Sequence, residues 1–189
     1  MPAFEPQRLT GDRELLEGLA ACSRPDGRIY VMTHFDHPRE LTDAALAALD
    51  ACLRHGLVLA NQCAIIRGVN DDARALADLF TRLAFAGCPQ YYVFQCTPTA
   101  GNEPYEVPLV ESWEIFRAAT SLGSGLARRA RFVMSHERGK IEVVGVDAAS
   151  IYLRYHQAAD PRDVGRLVVC RRRDDAYWLD QLVAAAPVA

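Results

Sequence analysis

The sequence predicts an α/β protein built on a parallel sheet, followed by a β-rich extension. Three observations carry this. An apolar strand-like run, a polar exit and an amphipathic helix recur three times between Ile29 and Leu122. The connections between them are short and rich in Gly, Pro, Asn and Asp. After Gly125 the texture changes to short β-like runs with no long helix between them. Alternating strands and helices read as βα units, in which each helix carries the chain back so that the next strand runs parallel to the last.

The elements follow in order. Leu15, Leu16, Leu19 and Ala20 fall at helical spacing after Thr10-Gly11-Asp12, so a helix is expected there. Ile29 to Phe35 is β-branched and aromatic and reads as a buried strand ended by His37-Pro38. Thr42 is placed to cap a helix with Ala45, Leu46, Leu49, Cys52 and Leu53 on one face, and Gly56 is its stop. Leu57 to Ile66 is the second strand. Gly68-Val69-Asn70-Asp71 is a turn, with Asp71 or Asp72 as the next helix cap. That helix carries Leu76, Leu79, Phe80 and Leu83 and ends at Gly87. Tyr91 to Cys96 is the third strand. A Pro- and Gly-containing loop then leads to a helix with Leu109, Trp113, Phe116 and Leu122. The strands are apolar throughout, as expected where both faces are covered. Behind them, residues 131–135, 140–146 and 151–156 read as a small antiparallel group, and a short helix is expected over Ala176 to Ala184. The organisation expected is residues 1–126 and 127–189.

Composition narrows the function classes. Half of the 189 residues are hydrophobic and 24% are charged, which suits a folded core and not a disordered chain. A net charge of −3 gives no reason to expect nucleic-acid binding. No apolar run approaches the roughly 20 residues of a membrane helix. The first residues lack the basic start and apolar stretch of a signal peptide, so a cytoplasmic location is expected. The six cysteines show no Cys-x-x-Cys pair and read as reduced core thiols. His34 and His37 have no third ligand at recognisable spacing, so no metal site is expected.

In α/β folds of this kind, chemistry gathers at the C-terminal ends of the strands. Those ends hold His34 to His37, then Gln62 with Gly68 to Asp71, then Gln95 to Thr97. Thr33-His34-Phe35-Asp36-His37-Pro38-Arg39-Glu40-Leu41-Thr42, Asn61-Gln62 through Gly68-Val69-Asn70-Asp71, Tyr91-Tyr92-Val93-Phe94-Gln95-Cys96 and Pro6-Gln7-Arg8-Leu9-Thr10 are four ordered motifs. Together they resemble lysine 2,3-aminomutase-like radical SAM proteins over roughly residues 2 to 140.

The resemblance implies a partial (βα)6 barrel of the radical SAM type, formed by its last three βα units, with the β-rich segment appended. It implies a parental radical 1,2-amino shift, or a related rearrangement, of an amino acid-like substrate. S-adenosylmethionine and a [4Fe–4S] cluster are the family's cofactors, with pyridoxal phosphate in the aminomutases. His34 and Gln62 match residues at the S-adenosylmethionine site, and Lys140 aligns with the lysine that holds pyridoxal phosphate. The family's Pro-Gly-Gly-Gly-Gly lead-in is replaced by Ser135-His136-Glu137-Arg138-Gly139. A turn lysine in a hairpin is the plainer reading of Lys140.

The family's Cys-x-x-x-Cys-x-x-Cys motif is not in the sequence, so the chain alone is expected to be inactive and no catalytic residue is assigned. The two family aspartates that bind a remote ammonium correspond here to Thr97 and Ser135. The match starts essentially at Met1, which reads as a fragment. A subunit completed by a cysteine-bearing N-terminal half, a homo-oligomer covering the open barrel edge, and a non-catalytic scaffold remain as alternatives.

Overall fold

The computed structural model describes residues 5–183. Seven strands form one mixed, open sheet in the order β1 to β7. They are β1 (Tyr30–Thr33), β2 (Val58–Ile65), β3 (Gln90–Gln95), β4 (Arg131–His136), β5 (Gly139–Val146), β6 (Ser150–Ala158) and β7 (Leu167–Arg171). The helices are α1 (Pro6–Gly11), α2 (Arg13–Cys22), α3 (Asp43–Arg54), α4 (Ala73–Phe85) and α5 (Leu109–Leu122). The α/β class and the three strand–helix repeats are those expected from the sequence. The chain is organised as two compact units interleaved in sequence.

The first unit takes residues up to Cys63, Arg74–Tyr91 and Ala119–Ala130. Asp12 caps α2 by accepting from the Leu15 N–H at 2.9 Å, and Thr42 caps α3 by accepting from Ala45 at 3.2 Å. α3 buries Ala45, Ala48, Leu49 and Cys52, while Leu53, expected on that face, is exposed. α4 buries the expected Leu76, Leu79, Phe80 and Leu83. Parallel β1 and β2 pair from Tyr30 with Val58 to Thr33 with Asn61.

Burial alternates strictly along β2, with Leu59, Asn61, Cys63 and Ile65 covered and Val58, Ala60, Gln62 and Ala64 half-open. On β1, Tyr30 and Met32 are exposed. The expectation of strands covered on both faces is therefore corrected. A strand residue and its successor point to opposite faces, and helices cover only one of them here.

β1 stops at Thr33, two residues short of the expected Phe35, because a side chain replaces the ladder. The fully buried Asn61 amide accepts from Thr33 Oγ1 at 2.7 Å and from the Phe35 N–H at 2.8 Å. It donates to the Phe35 carbonyl at 3.0 Å and to Gln90 Oε1 at 2.7 Å. Gln90 in turn donates to Cys63 Sγ at 3.1 Å. Both acceptor positions and both donors of the amide are used.

The second unit takes Ala64–Ala73, Tyr92–Ala118 and the chain from Arg131 onward. Parallel β3 and β4 pair through Tyr92 with Arg131 and Phe94 with Val133. β4, β5, β6 and β7 then follow as an antiparallel run. Phe116 stacks on Phe132 at 5.7 Å between ring centres, which seats α5 on β4. β7 was not expected from the sequence, because its apolar residues lie against the Arg171-Arg172-Arg173 run that reads as a solvated loop.

The helix expected over Ala176 to Ala184 is also corrected. Among the described residues only a 3-10 turn, Leu179–Gln181, forms there, and Ala184 lies outside them. Tertiary bonds hold the segment extended: Leu109 N–H donates to the Ala176 carbonyl at 2.9 Å, and Gln181 Oε1 accepts from Tyr177 N–H at 2.6 Å.

Asn61→Leu removes four buried hydrogen bonds, among them those that Asn61 gives to Gln90 Oε1 and the Phe35 carbonyl and takes from the Phe35 N–H. Urea unfolding is expected to show a loss of about 3–5 kcal/mol, against under about 1 kcal/mol for the half-open neighbour Gln62→Ala.

Candidate functional site

In the first unit, His34 leaves β1 with its side chain about half exposed and pairs with Asp36 at 3.3 Å. The hydrogen bond that His34 donates to the Asp36 carboxylate raises the His34 pKa, burial opposes it, and the Asp36 and Glu40 charges add to the rise. His37 has a structural task. Its Nδ1 accepts from the Arg39 N–H at 3.1 Å, while Glu40 accepts from the Asp36 and His37 N–H groups at 3.0 and 2.8 Å. This capping of the 3-10 turn Pro38–Glu40 accounts for His37 and Glu40 without a ligand.

Gln62 lies on the open side of β2, and its amide makes no hydrogen bond among the described residues. Its neighbour Asn61 is the buried one. Cys63 and Cys88, also on the covered side, are poor nucleophiles: burial pushes the Cys63 thiol well up and the Cys88 thiol to about 11. All six cysteines are free. Among the described residues no three His, Cys, Asp or Glu side chains are grouped to hold a metal ion.

The Gly68 to Asp71 loop, in the second unit, is closed by its own side chains. Asn70 is buried, accepts from the Ile66 N–H at 2.8 Å and donates to the Ala64 carbonyl at 2.7 Å. Asp71 or Asp72 was expected as the helix cap, and the Asp71 carboxylate accepts from the Gly68 N–H at 3.0 Å and from Arg67 at 3.3 Å. Arg67 also forms a two-pronged pair with Glu111 at 2.6 and 2.7 Å, which holds the Glu111 carboxyl below its usual range.

Lys140 belongs to the second unit, near the start of β5 and opposite Ser135. Its Nζ stands 4.6 Å from the Tyr92 ring centre and 5.8 Å from that of Phe94. It makes no ion pair among the described residues. Residues directly opposite in a sheet share a face. The register therefore puts Tyr92, Phe94, Arg131, Ser135, Lys140, Glu142 and Arg154 on one face of this unit.

Gly139 sets that register. It has φ +131°, and a Cβ there would lie 2.1 Å from the Gln157 carbonyl oxygen. One glycine thus suffices for the turn where the resemblance implies four. Sequence reading missed Arg131, Arg154 and His156. Their signal was the period-two spacing along β4 and β6, whose partners lie about twenty residues apart and are fixed only by pairing. Thr97 and Ser135 are both exposed.

No protein-family model matches the chain. Relatives do. A protein of Aquifex aeolicus (strain VF5) that carries the provisional name L-lysine 2,3-aminomutase is 45% identical over 181 residues, covering 95% of this chain and 48% of the relative. The chain is homologous to one part of the lysine 2,3-aminomutases. The L-lysine 2,3-aminomutase of Clostridium subterminale is 30% identical over 124 residues, covering 66% of this chain and 28% of that protein. A glutamate 2,3-aminomutase of Clostridioides difficile (strain 630) is 28% identical over 99 residues, covering 52% and 24%. The chain thus spans about half or less of the aminomutases it matches.

Two outcomes follow from the geometry. Asp36→Asn removes the main cause of the raised His34 pKa, so the His34 ring protons are expected to titrate at lower pH by nuclear magnetic resonance. The sign follows from the pairing: the stability His34 contributes is present below the unfolded value near 6.5 and is lost as pH rises through the raised folded value. Gly139→Ala is expected to cost about 3 kcal/mol or more in thermal or urea unfolding, because the added methyl meets backbone and not a mobile side chain.

Proposed function

We propose that this chain supplies part of an amino-group-shifting isomerase of the lysine 2,3-aminomutase type, comprising the last three βα units of a (βα)6 radical SAM barrel and its β-rich extension. The observation that carries the reading is Lys140. An amine that forms a Schiff base must be free to reach the aldehyde and not be held by a carboxylate. Lys140 makes no ion pair among the described residues and stands over Tyr92 on the face that carries Arg131 and Arg154.

These residues fit pyridoxal phosphate: a lysine for covalent attachment, aromatic rings beside it, and cations for its phosphate. When bound, that cofactor supplies an electron sink for an amine substrate. Gln62, whose amide keeps its hydrogen-bonding capacity, and His34 are the residues this reading assigns to S-adenosylmethionine. The described residues offer no ligand set for an iron–sulfur cluster. The reading requires a cysteine-bearing half beside β1, the edge strand on that side of the sheet.

The substrate is an amine other than free lysine. Thr97 and Ser135 are neutral where the resemblance implies carboxylates, and a hydroxyl offsets an ammonium poorly. No helix among the described residues is long and apolar enough to cross a membrane, and a small-molecule substrate is the partner this face suits.

Incubation with pyridoxal phosphate, borohydride reduction and peptide mass analysis is expected to find the cofactor on Lys140. Lys140→Met is expected to abolish the labelling. Lys140 is the one lysine of the chain, so labelling no faster than that of a free lysine peptide, or labelling unchanged in Lys140→Met, would overturn the assignment. Binding of S-adenosylmethionine, followed by calorimetric titration, is expected to weaken about fivefold in Gln62→Ala, one polar contact being worth roughly 1 kcal/mol. No S-adenosylmethionine binding, with or without a cysteine-bearing half, would favour a non-catalytic scaffold.

A further inference from the structure

The sheet face turned away from Lys140 carries a separate hollow, of about 340 Å³. Ile141 pairs with Tyr155, and Leu153 with Val143 and Val168, so these side chains point away from the Lys140 face. Half-buried Val168, Leu179 and Leu182 wall the hollow above buried Ile141, Leu153 and Cys170. Leu179 and Leu182 come from the segment after β7, which closes one side. Small-molecule sites run from roughly 300 to 1,000 Å³, so this one suits a small ligand with an apolar body.

The rim is charged, and Arg138, Arg166 and Asp180 stand on it. Arg166 is paired with Asp163 at 3.1 Å and lies over the Tyr155 ring at 4.9 Å. Arg138 is exposed, and its side chain makes no ion pair or hydrogen bond among the described residues. Asp180 is held by His136, whose Nε2 lies 3.2 and 3.3 Å from the two carboxylate oxygens. His136 Nδ1 accepts from the Arg138 N–H at 3.1 Å. The ring is therefore the neutral Nε2–H tautomer, which donates to Asp180 without cancelling its charge. His136 is 3% exposed, so one buried ring spaces the hairpin bearing Arg138 from the segment bearing Asp180. Asp180 itself is 68% exposed and has lone pairs to spare.

Simpler ligands fit this rim badly. A carboxylate with an apolar body meets Arg138 but faces the Asp180 charge. An amine with an apolar body does the reverse. A zwitterion matches both, with its carboxylate at Arg138, its ammonium at Asp180 and its side chain over the apolar floor. We propose that this hollow binds a free α-amino acid with an apolar side chain.

The bound molecule ties the segment after β7 to the β4–β5 hairpin. Tyr177 of that segment donates to the Cys96 carbonyl, and Trp178 packs on the His136 ring at 6.2 Å between centres. Occupancy of the hollow thereby reaches the backbone beside Thr97 and Ser135. The site lies on the other face of the sheet and does not rest on the Lys140 reading.

Nuclear magnetic resonance of the intact chain tests it. L-Leucine and L-phenylalanine are expected to shift the His136 ring protons and the Trp178 indole N–H saturably, leaving Trp113 on α5 unmoved. Isocaproate lacks the ammonium of leucine and isoamylamine its carboxylate, so each is expected to bind at least about tenfold more weakly. Glycine is expected to bind more weakly by a similar factor, having no apolar side chain to bury. Changing the rim crosses this pattern. Asp180→Asn is expected to weaken leucine about tenfold and to strengthen isocaproate; Arg138→Gln is expected to weaken leucine about tenfold and to strengthen isoamylamine.

No shift with leucine or phenylalanine overturns the site, as does equal binding of leucine, isocaproate and isoamylamine. The comparison of ligands on the wild-type chain needs no variant, so a variant that fails to fold leaves the test standing. Leucine binding lost in Lys140→Met but kept in Arg138→Gln puts the amino acid on the Lys140 face and also overturns the hollow. Leucine binding kept in Lys140→Met and weakened in Arg138→Gln supports it, whatever becomes of the labelling at Lys140.

Discussion

The amide of Asn61 is the constraint on which the first unit depends. A buried amide without partners costs about as much as a lost hydrogen bond for each unmet group. Asn61 meets all four, and in doing so it takes the place of two backbone rungs beyond Thr33. The chain must leave the sheet there. His34 is therefore presented at the strand exit, Asp36 falls within reach of it, and the 3-10 turn that follows is closed by His37 and Glu40. Arg82 from α4 donates to the Pro38 and Leu41 carbonyls at 3.0 Å each, fixing that turn to the helix layer. Geometry at the candidate site thus follows from a residue that no ligand need touch.

The two sides of the first unit's strands have opposite demands. On the helix side, Leu59, Cys63, Leu49 and Leu79 exclude water, and polar groups survive only as a closed network. On the other side, Tyr30, Met32, Val58, Ala60 and Tyr91 line an apolar recess of about 330 Å³. An exposed apolar face beside an unpaired strand edge is a surface that ordinarily meets another surface. The homology to part of a longer aminomutase gives that face a role in the proposed enzyme, because a barrel needs further strands beside β1.

In the second unit, register does the positioning. Gly139 allows a turn tight enough to bring Lys140 opposite Ser135, and each later pairing carries the alternation onto the next strand. Aromatic rings from β3 and cations from β4, β5 and β6 then share one face although they lie up to 64 residues apart in the chain, from Tyr92 to His156. Glu142 pairs with both Arg154 and Arg131, which leaves Lys140 as the cation of that face that makes no ion pair among the described residues.

Local chemistry in the sequence was enough to determine the α/β class, the helix caps at Asp12 and Thr42, the buried stripe of α4 and the strand ends where polar residues emerge. Each of these depends on neighbours within one or two turns, or on a period of two or 3.6 residues. The ordered motifs also determined the kinship with the aminomutases. Tertiary structure alone decided that Asn61 is the buried amide and Gln62 the open one, since period two separates faces without saying which is covered. It decided that β7 is a strand and that Ala176 to Gln181 is no helix, because partners distant in sequence supply their hydrogen bonds. And it decided that Arg131, Arg154 and His156 meet beside Lys140, which no spacing within a single strand can express.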